Sequence, residues 1–212
     1  IREVFPEYND RYQSKLVLPP DLLTKDTFNF FSLKIKDEAG NIRTFRLNNK
    51  SSRDILAAVN TKQITRMMYL NYYAEKYNYI VCGTTNRSEY IQGFFVKYGD
   101  GGVDIEPINH LYKTQVYQVA DYIGVIPEII KRPPSPDTFT FEVTDEEMHF
   151  RLPYEIVDMF LFAWENNCPA AEVSAVMNIP EDQVARVFRD ITSKYKATGY
   201  LRLPPQSLLN VS

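Results

Sequence analysis

The residues best suited to chemistry lie between positions 83 and 135 of the 212-residue chain. Residues 83–89 read Gly-Thr-Thr-Asn-Arg-Ser-Glu, follow an apolar run and are predicted to open a helix. Small and hydroxyl residues at such a point let a phosphate approach backbone N–H groups, and a helix N-terminus favours negative charge. Glu89 would then offer Mg²⁺ a hard oxygen ligand. A capped helix start with a solvated Glu89 explains this segment alone equally well.

Two more polar segments follow. Residues 97–104 read Lys-Tyr-Gly-Asp-Gly-Gly-Val-Asp, and three glycines in four positions predict a loop of close approach with Asp100 at its tip. Lys113 begins a predicted helix, where a cation opposes the helix dipole unless it faces an anion such as phosphate. Each signal alone is typical of a surface turn or a solvated lysine. The ordered set is more specific than its parts.

The elements that must position these residues follow an α/β pattern. The apolar run 79–82 predicts a strand buried on both faces of a parallel sheet. Ser52 is the predicted N-cap of a helix from Arg53 to about Tyr77. Its predicted apolar face consists of Met67, Leu70, Ala74 and Tyr77. Later helices are predicted at about 112–123, ended by Gly124, and at 153–166, 169–177 and 180–197, the last three with a proline at or near the start.

The N-terminal part lacks these motifs. Residues 1–27 are predicted to be an irregular surface segment with at most one short helix. Residues 28–33 and 43–47 predict an inserted β-hairpin closed by a glycine turn. We therefore divide the chain into residues 1–50, an α/β part at 51–150 and a helical tail at 151–212.

Composition narrows the class of protein. A formal charge of −3 and a pI near 5.5 give no general attraction to nucleic acid or anionic membranes. The most apolar stretch, 156–164, is too short to span a bilayer. Cys82 and Cys168 show neither disulfide nor metal spacing and predict small buried residues in a reducing compartment, so a cytoplasmic location is expected. Because the chain begins at Ile1 inside an apparent domain, we expect residues upstream.

These motifs resemble the NAD synthetase family, a branch of the ATP pyrophosphatases, over about residues 60–158. The family's Gly-Thr-x-x-x-x-Glu motif matches residues 83–89, and its Lys-Tyr-Gly-Asp-Gly-Gly stretch stands unaltered at 97–102. Residues 111–114 resemble Leu-x-Lys-Thr, residues 134–135 match Pro-Ser, and residues 144–158 resemble its acidic stretch and following helix. The implied fold is α/β, parallel-sheet and adenine-nucleotide-hydrolase-like (Rossmann-like), with a helical C-terminal tail and an inserted β-hairpin.

The resemblance also implies roles for single residues and an activity. Thr84, Lys113 and Ser135 would contact ATP, Glu89 would bind Mg²⁺, Asn60, Arg66, Lys97 and Asp100 would contact deamido-NAD, and Lys113 and Asp100 would act in catalysis. ATP would adenylate the carboxylate of deamido-NAD, and ammonia, free or from a glutaminase domain or partner, would displace AMP to give NAD. The family implies a homodimer.

Departures from the family leave alternatives. The family's Ser-Gly-Gly-x-Asp-Ser ATP loop is not in this chain, so the 212 residues alone are expected to be inactive. A paralogue that amidates another carboxylate, or a module without catalysis, remains an alternative. Residues 170–195 imitate a DNA-binding helix-turn-helix, but their acidic residues offset the basic ones, which favours two packed helices.

Overall fold

The computed structural model describes residues 1–25 and 29–205, and its N-terminal part is a three-stranded antiparallel sheet. The strands are Gln13–Val17 (β1), Ser32–Lys36 (β2) and Ile42–Arg46 (β3), in the order β1-β2-β3. Gly40, in the turn between β2 and β3, has a φ of 88°, a conformation that favours glycine. The predicted hairpin is confirmed, although its first strand begins at Ser32; Phe28, the predicted start, lies outside the described residues.

Strand β1 contradicts the prediction that residues 1–27 are irregular. Gln13 pairs with Lys36 and Val17 with Ser32, so the whole strand lies in register beside β2. Leu16 is fully buried in an apolar cluster with β2 and the following helix. The segment Gln-Ser-Lys-Leu-Val shows no alternation of polar and apolar residues that would predict a strand. Its burial does not alternate either, because Ser14 and Lys15 are buried as well as the two apolar residues. Only its pairing with β2 makes it a strand.

The long helix α1 spans Asn49–Tyr77. Its N-cap is Asn48, whose side chain accepts a hydrogen bond from the Ser51 N–H at 2.8 Å, so the prediction of Ser52 as the cap is wrong by one turn. The buried face consists of Ser51, Ile55, Val59 and Met67. The predicted apolar face is also wrong beyond Met67, because Leu70 and Tyr77 are half exposed.

The helices predicted at about 112–123, 153–166, 169–177 and 180–197 are each confirmed to within one residue, whereas the helix at Pro127–Ile130 and the turns at Glu146–Phe150 and Gly199–Arg202 are not predicted by the sequence. Prolines 153, 169 and 180 are the N-cap residues of the three C-terminal helices. The helices are α2 (Arg87–Gln92), α3 (Lys113–Tyr122), α4 (Pro127–Ile130), α5 (Tyr154–Glu165), α6 (Ala170–Met177) and α7 (Glu181–Ala197), with a π-helical turn at Glu146–Phe150 and a 3-10 turn at Gly199–Arg202. Helices α2, α5, α6 and α7 share one core, centred on Phe160, Leu161 and Val184.

The predicted parallel strand at residues 79–82 is reduced to a single parallel bridge between Cys82 and Ile105. Tyr79 and Ile80 are 72% and 64% exposed, and Cys82 is exposed as well, so this run is not buried on both faces. Within the described residues, no further strand or helix covers these side chains, and a strand needs paired neighbours to satisfy its backbone. The α/β class itself is as predicted.

The described helices include none that is both long and apolar enough to cross a membrane.

The buried position of β1 predicts a stability difference between two apolar truncations in the sheet. Leu16→Ala should lower the free energy of unfolding by about 2–5 kcal/mol, because it leaves a cavity in the core. Ile42→Ala, at a 54% exposed position of β3, should cost about 1 kcal/mol or less. Urea unfolding measures both, and equal losses would contradict the placement of β1.

The buried imidazole of His149 predicts a pH dependence of stability. Burial, followed by the nearby Lys194, lowers the pKa of His149 well below its usual 6.5, and its ring stacks on Phe94 with 4.5 Å between centroids. The unfolded chain gains a proton at His149 as the pH falls through 6.5 while the folded chain does not, so stability present above that pH is lost below it. This slope approaches about 1.4 kcal/mol per pH unit.

His149→Gln should remove this slope between about pH 6 and pH 5, whereas His110→Gln, at an exposed position, should keep it. Urea unfolding at a series of pH values measures the difference. Parallel pH profiles for wild type and His149→Gln would show that the buried ring is not neutral in the fold.

Candidate active site

Helix α2 begins with a complete capping box that includes Glu89. The Asn86 side chain accepts the Glu89 N–H at 3.1 Å, and Glu89 Oε2 accepts the Asn86 N–H at 3.1 Å. Asn86 is almost fully buried, so these bonds satisfy backbone donors that water cannot reach. The alternative interpretation of residues 83–89, a capped helix start with a solvated Glu89, is therefore correct in part. One oxygen of Glu89 caps the helix, but the side chain is only 17% exposed.

The second oxygen of Glu89 faces Lys113, the first residue of α3. The Lys113 Nζ lies 3.5 Å from Glu89 Oε1, and their side chains are 20% and 17% exposed. Burial raises the pKa of Glu89, and the charge of Lys113 opposes that shift. A cation at a helix start is thus balanced by an anion, as the sequence required, but the anion in this structure is a carboxylate.

A buried hydrogen-bond cluster fixes the start of α3 against α2 and α5. The Ser88 hydroxyl donates to Asp158 Oδ1 at 2.5 Å and accepts the Lys113 N–H at 3.1 Å. Asp158 Oδ2 accepts the Thr114 N–H at 2.8 Å. Ser88 is fully buried and Asp158 is 4% exposed. The two side chains therefore cap α3 from outside the helix and place Lys113 beside Glu89.

Sequence reasoning assigned no role to Ser88 or Asp158. The available signal was Asp158 itself, the one charged residue in the apolar stretch 156–164. A carboxylate buried inside such a stretch needs partners, and here they are two donors on neighbouring helices.

A second polar link holds the same junction from the other side. Glu165, at the end of α5, pairs with the Arg87 guanidinium and accepts the Tyr112 hydroxyl at 2.5 Å. Burial, followed by the hydrogen bond to Glu165, raises the pKa of Tyr112, so it remains a donor. Arg87, the first residue of α2, and Tyr112, the residue before α3, are thereby both tied to α5.

Another carboxylate, Asp145, lies in the same electrostatic neighbourhood. It is 4% exposed, and its Oδ2 accepts the Tyr154 hydroxyl at 2.9 Å. Its Oδ1 is buried and has no hydrogen-bond partner among the described residues. The Asp145 N–H donates to the Pro134 carbonyl at 3.0 Å, which joins this carboxylate to the loop that carries Ser135.

The glycine loop is a loop of close approach, but its neighbours are parts of this chain. A Cβ at Gly99 would lie 2.9 Å from the Cβ of Gln63 on α1, and one at Gly101 would lie 2.6 Å from the Phe95 ring. Asp100 Oδ1 accepts the Val96 N–H at 2.9 Å and so closes the loop. Burial raises the pKa of Asp100, and Arg66 is among the groups that lower it.

The remaining predicted site residues lie around this loop or at the surface. Lys97 is engaged by the chain itself, because its Nζ donates to the carbonyls of Tyr200 and Leu203 at 2.9 and 2.7 Å. Arg66 donates to the Asp137 carbonyl at 3.0 Å, and the Asp137 N–H donates to Ser135 Oγ at 3.2 Å.

Thr84 and Asn60 are exposed. The structure thus brings together Glu89 and Lys113, and separately links the Arg66 segment of α1 to the Ser135 loop.

The oxygen donors of this region suit Mg²⁺. No group of three His, Cys, Asp or Glu side chains that could enclose a metal ion exists within residues 1–25 and 29–205. Mg²⁺, however, is usually held by one or two carboxylates together with substrate phosphates and water. Glu89 Oε1 is a hard donor that faces Lys113, and Asp145 Oδ1 is a buried oxygen without a partner among residues 1–25 and 29–205, so the donor chemistry fits the ion.

Two basic side chains of the last helix, Arg186 and Lys194, are engaged by other parts of the chain. The Arg186 guanidinium donates to the Leu23 carbonyl, and the Lys194 Nζ lies 2.8 Å from Asp190 and 2.7 Å from the His149 carbonyl. The residues Val184, Val187 and Ile191 of α7 are buried in the core. Helices α6 and α7 are therefore packed helices, as the charge balance predicted.

Solved structures share this fold. An NMN synthetase from Francisella tularensis superposes with a TM-score of 0.58 at 27% identity, covering 74% of this chain and 60% of that chain. An NH3-dependent NAD synthetase from Campylobacter jejuni in complex with a nitrate ion gives a TM-score of 0.52 at 23% identity, covering 73% and 56%. The fold is accordingly an α/β fold of the Rossmann-like nucleotide-binding class.

The chain belongs to the NAD synthase family, whose model matches residues 22–202. It is 44% identical over 205 residues to an NH3-dependent NAD(+) synthetase of Mesorhizobium japonicum and 45% identical over 206 residues to one of Rhizobium meliloti. Each match covers 97% of this chain but only 64% and 61% of the relatives, so the chain spans less than two thirds of their length.

The buried cluster predicts a strong energetic coupling between Ser88 and Asp158. Asp158→Asn should lower the free energy of unfolding by about 1.5–3 kcal/mol, because it removes a charge that accepts two hydrogen bonds. In a double-mutant cycle with Ser88→Ala, the two losses should deviate from additivity by about 0.5–3 kcal/mol.

Urea unfolding of the four proteins of the cycle measures this coupling. Ser52→Ala, on α1, is the matched serine control and should be additive with Asp158→Asn. Additivity of Ser88→Ala with Asp158→Asn would show that the cluster does not act as one unit.

Proposed function

We propose that the whole protein is an ATP-dependent amide-forming ligase that adenylates deamido-NAD and then amidates it with ammonia, giving NAD, AMP and pyrophosphate. The observation that carries this proposal is the partly buried Glu89–Lys113 pair at two capped helix starts, in a chain that matches NH3-dependent NAD synthetases over 97% of its length. The names of these relatives favour free ammonia over a glutaminase domain or partner as the nitrogen source.

The chemistry follows from the needs of the reaction. A carboxylate resists attack by ammonia until one of its oxygens becomes part of a good leaving group, and transfer of AMP from ATP provides that group. Lys113, whose backbone is fixed by Ser88 and Asp158, would release its contact with Glu89 and turn its ammonium to the triphosphate, where negative charge grows as pyrophosphate leaves. The hydroxyls of Thr84 and Ser135 would orient the same phosphates.

The remaining site residues fit a substrate role in the same proposal. Mg²⁺, when bound, would neutralise phosphate charge and polarise the α-phosphate, with Glu89 as a ligand from this chain. Asp100 and Lys97 of the glycine loop, and Asn60 and Arg66 of α1, would contact deamido-NAD. Ammonia would then attack the acyl adenylate, and no side chain needs to act as a covalent nucleophile.

We also propose that the protein is a homodimer paired through α1. In support, the C-terminal half of the helix carries apolar and tyrosine side chains that are 44–60% exposed, an unusual concentration for a free surface. These residues are Ile64, Met68, Tyr69, Leu70, Tyr72, Tyr73 and Tyr77. A cytoplasmic location is our further expectation, although Cys82, one of the two free cysteines, is exposed and not buried as predicted.

A paralogue with another substrate is the second candidate. The Francisella tularensis structure with the same fold is an NMN synthetase, which favours the deamido form of NMN as the competing carboxylate. Its identity of 27% is lower than the 44–45% of the NAD synthetases, so we place deamido-NAD first. The 212 residues contain no Ser-Gly-Gly-x-Asp-Ser loop, and we still predict that they are inactive on their own.

The assay for this proposal measures AMP release by the whole protein from Mg-ATP and ammonia, with deamido-NAD or deamido-NMN. We expect AMP to form in step with NAD from deamido-NAD. Glu89→Gln should lower kcat at least about 100-fold, since it removes a charge that acts on the phosphates. Glutamine also completes a capping box, so the same substitution should cost only the stability that the charge opposite Lys113 contributes.

The glutamine variant separates a structural from a functional role of Glu89. Glu181→Gln, in the exposed first turn of α7, is the matched control and should retain full activity. Full activity of Glu89→Gln would reduce Glu89 to a helix cap. If the wild-type protein released AMP with deamido-NMN and not with deamido-NAD, the substrate assignment would change to deamido-NMN. No AMP release with either acid would refute the ligase assignment.

A further inference from the structure

The buried carboxylate of Asp145 has an unmet bonding requirement. Its Oδ2 accepts the Tyr154 hydroxyl, whereas Oδ1 is buried and unpartnered within the described part of the chain. Leaving a buried acceptor unpaired costs about 1–3 kcal/mol, and more for a charged group. Most such atoms in native proteins have a partner, so an orphan oxygen of this kind indicates a missing ion, water or ligand.

Several elements hold Asp145 in place, so the orphan oxygen is not the result of a loose side chain. Its N–H donates to the Pro134 carbonyl, and the π-helical turn Glu146–Phe150 begins directly after it. Glu147, in that turn, pairs at 2.8 Å with Lys15, a buried residue of β1. The sheet, the proline loop and Tyr154 of α5 therefore all fix the carboxylate.

The surroundings of Asp145 select the kind of ligand. The Lys113 Nζ lies 5.5 Å from the centroid of the Tyr154 ring, while the Tyr154 hydroxyl contacts Asp145 and Lys113 itself contacts Glu89. The Tyr154 side chain therefore links Asp145, which its hydroxyl contacts, to the region of the Lys113–Glu89 pair, so the two carboxylates lie around one lysine and one tyrosine. A local excess of negative charge on oxygen donors suits a hard divalent cation.

The space beside Asp145 is large enough for a polyphosphate. A cavity of about 590 Å³ is lined by Asp145 and Tyr154, by Thr114 of α3, and by Lys131 and Arg132. The basic side chains and the carboxylate lie at one cavity, an arrangement that suits phosphates bridged to a metal ion.

We propose that Asp145 is a second protein ligand of the divalent cation that Glu89 would hold, with nucleotide phosphates and water completing the coordination. This inference rests on the proposed function, because it places the metal and the nucleotide in the Glu89 region. It assigns a ligand to the acidic stretch at 144–158, which lies outside residues 83–135, where the sequence analysis found the residues best suited to chemistry.

The test measures Mn²⁺ binding to the whole protein with a non-hydrolysable ATP analogue, by the electron paramagnetic resonance signal of free Mn²⁺. Asp145→Asn keeps the shape of the side chain and should weaken Mn²⁺ binding at least about tenfold, as should Glu89→Gln. Glu146→Gln changes the adjacent exposed carboxylate and should bind Mn²⁺ like wild type. If Asp145→Asn bound Mn²⁺ with the affinity of the wild type, the proposal would be overturned. The partner of Asp145 Oδ1 would then be a proton or a water molecule.

A second variant keeps the proposal falsifiable if Asp145→Asn folds poorly. Asp145→Cys replaces the hard oxygen by a soft thiolate and should give an ultraviolet thiolate-to-Cd²⁺ absorption band when Cd²⁺ and the ATP analogue are added. Glu146→Cys should give no band, and the same absence in folded Asp145→Cys would contradict ligation. Because these measurements need no turnover, weaker metal binding in Asp145→Asn, together with no AMP release by the wild-type protein from either deamido-NAD or deamido-NMN, would uphold the ligand and refute the ligase.

Discussion

The bond between the Ser88 hydroxyl and the Asp158 carboxylate is the interaction on which the rest of the site depends. It joins α2 to α5 inside the core, and its two residues also accept the first backbone N–H groups of α3. An isolated helix start leaves such donors unsatisfied, and here both acceptors come from other helices. The position of Lys113 is therefore a property of the tertiary structure, because the cap within α3, Gln115 accepting the Tyr112 N–H at 2.9 Å, leaves the Lys113 and Thr114 N–H groups to Ser88 and Asp158.

Glu89 connects this framework to the chemistry because its two oxygens have different tasks. One oxygen completes the capping box of α2, which fixes the carboxylate, and the other meets Lys113. In the function that we propose, the Lys113 ammonium would exchange this fixed carboxylate for a phosphate without a change in the fold. Lys97 differs, because two carbonyls of the C-terminal segment hold its ammonium and leave one N–H for any substrate.

The sequence predicted elements whose signals are local. The prolines before α5, α6 and α7 predicted their starts, and Gly40 predicted the hairpin turn. The sequence-based prediction failed for elements whose structure depends on segments distant in the chain. Strand β1 exists because β2 pairs with it, and the apolar run at Tyr79 and Ile80 would need neighbouring strands that the described residues do not supply.

The same distinction applies to the site. Glu89 and Lys113 are recognisable by their motifs, whereas Ser88, Asp145 and Asp158 acquire their significance from contacts with residues 9 to 70 positions away.

The central claim is that the capped junction of α2 and α3 binds the nucleotide and its metal. The most direct measurement is the anomalous diffraction of Mn²⁺ in crystals of the whole protein with a non-hydrolysable ATP analogue. The account predicts a manganese peak bonded to Glu89, with the Lys113 ammonium on the triphosphate and no longer on that carboxylate. A triphosphate bound elsewhere, with the Glu89–Lys113 pair intact, would contradict it.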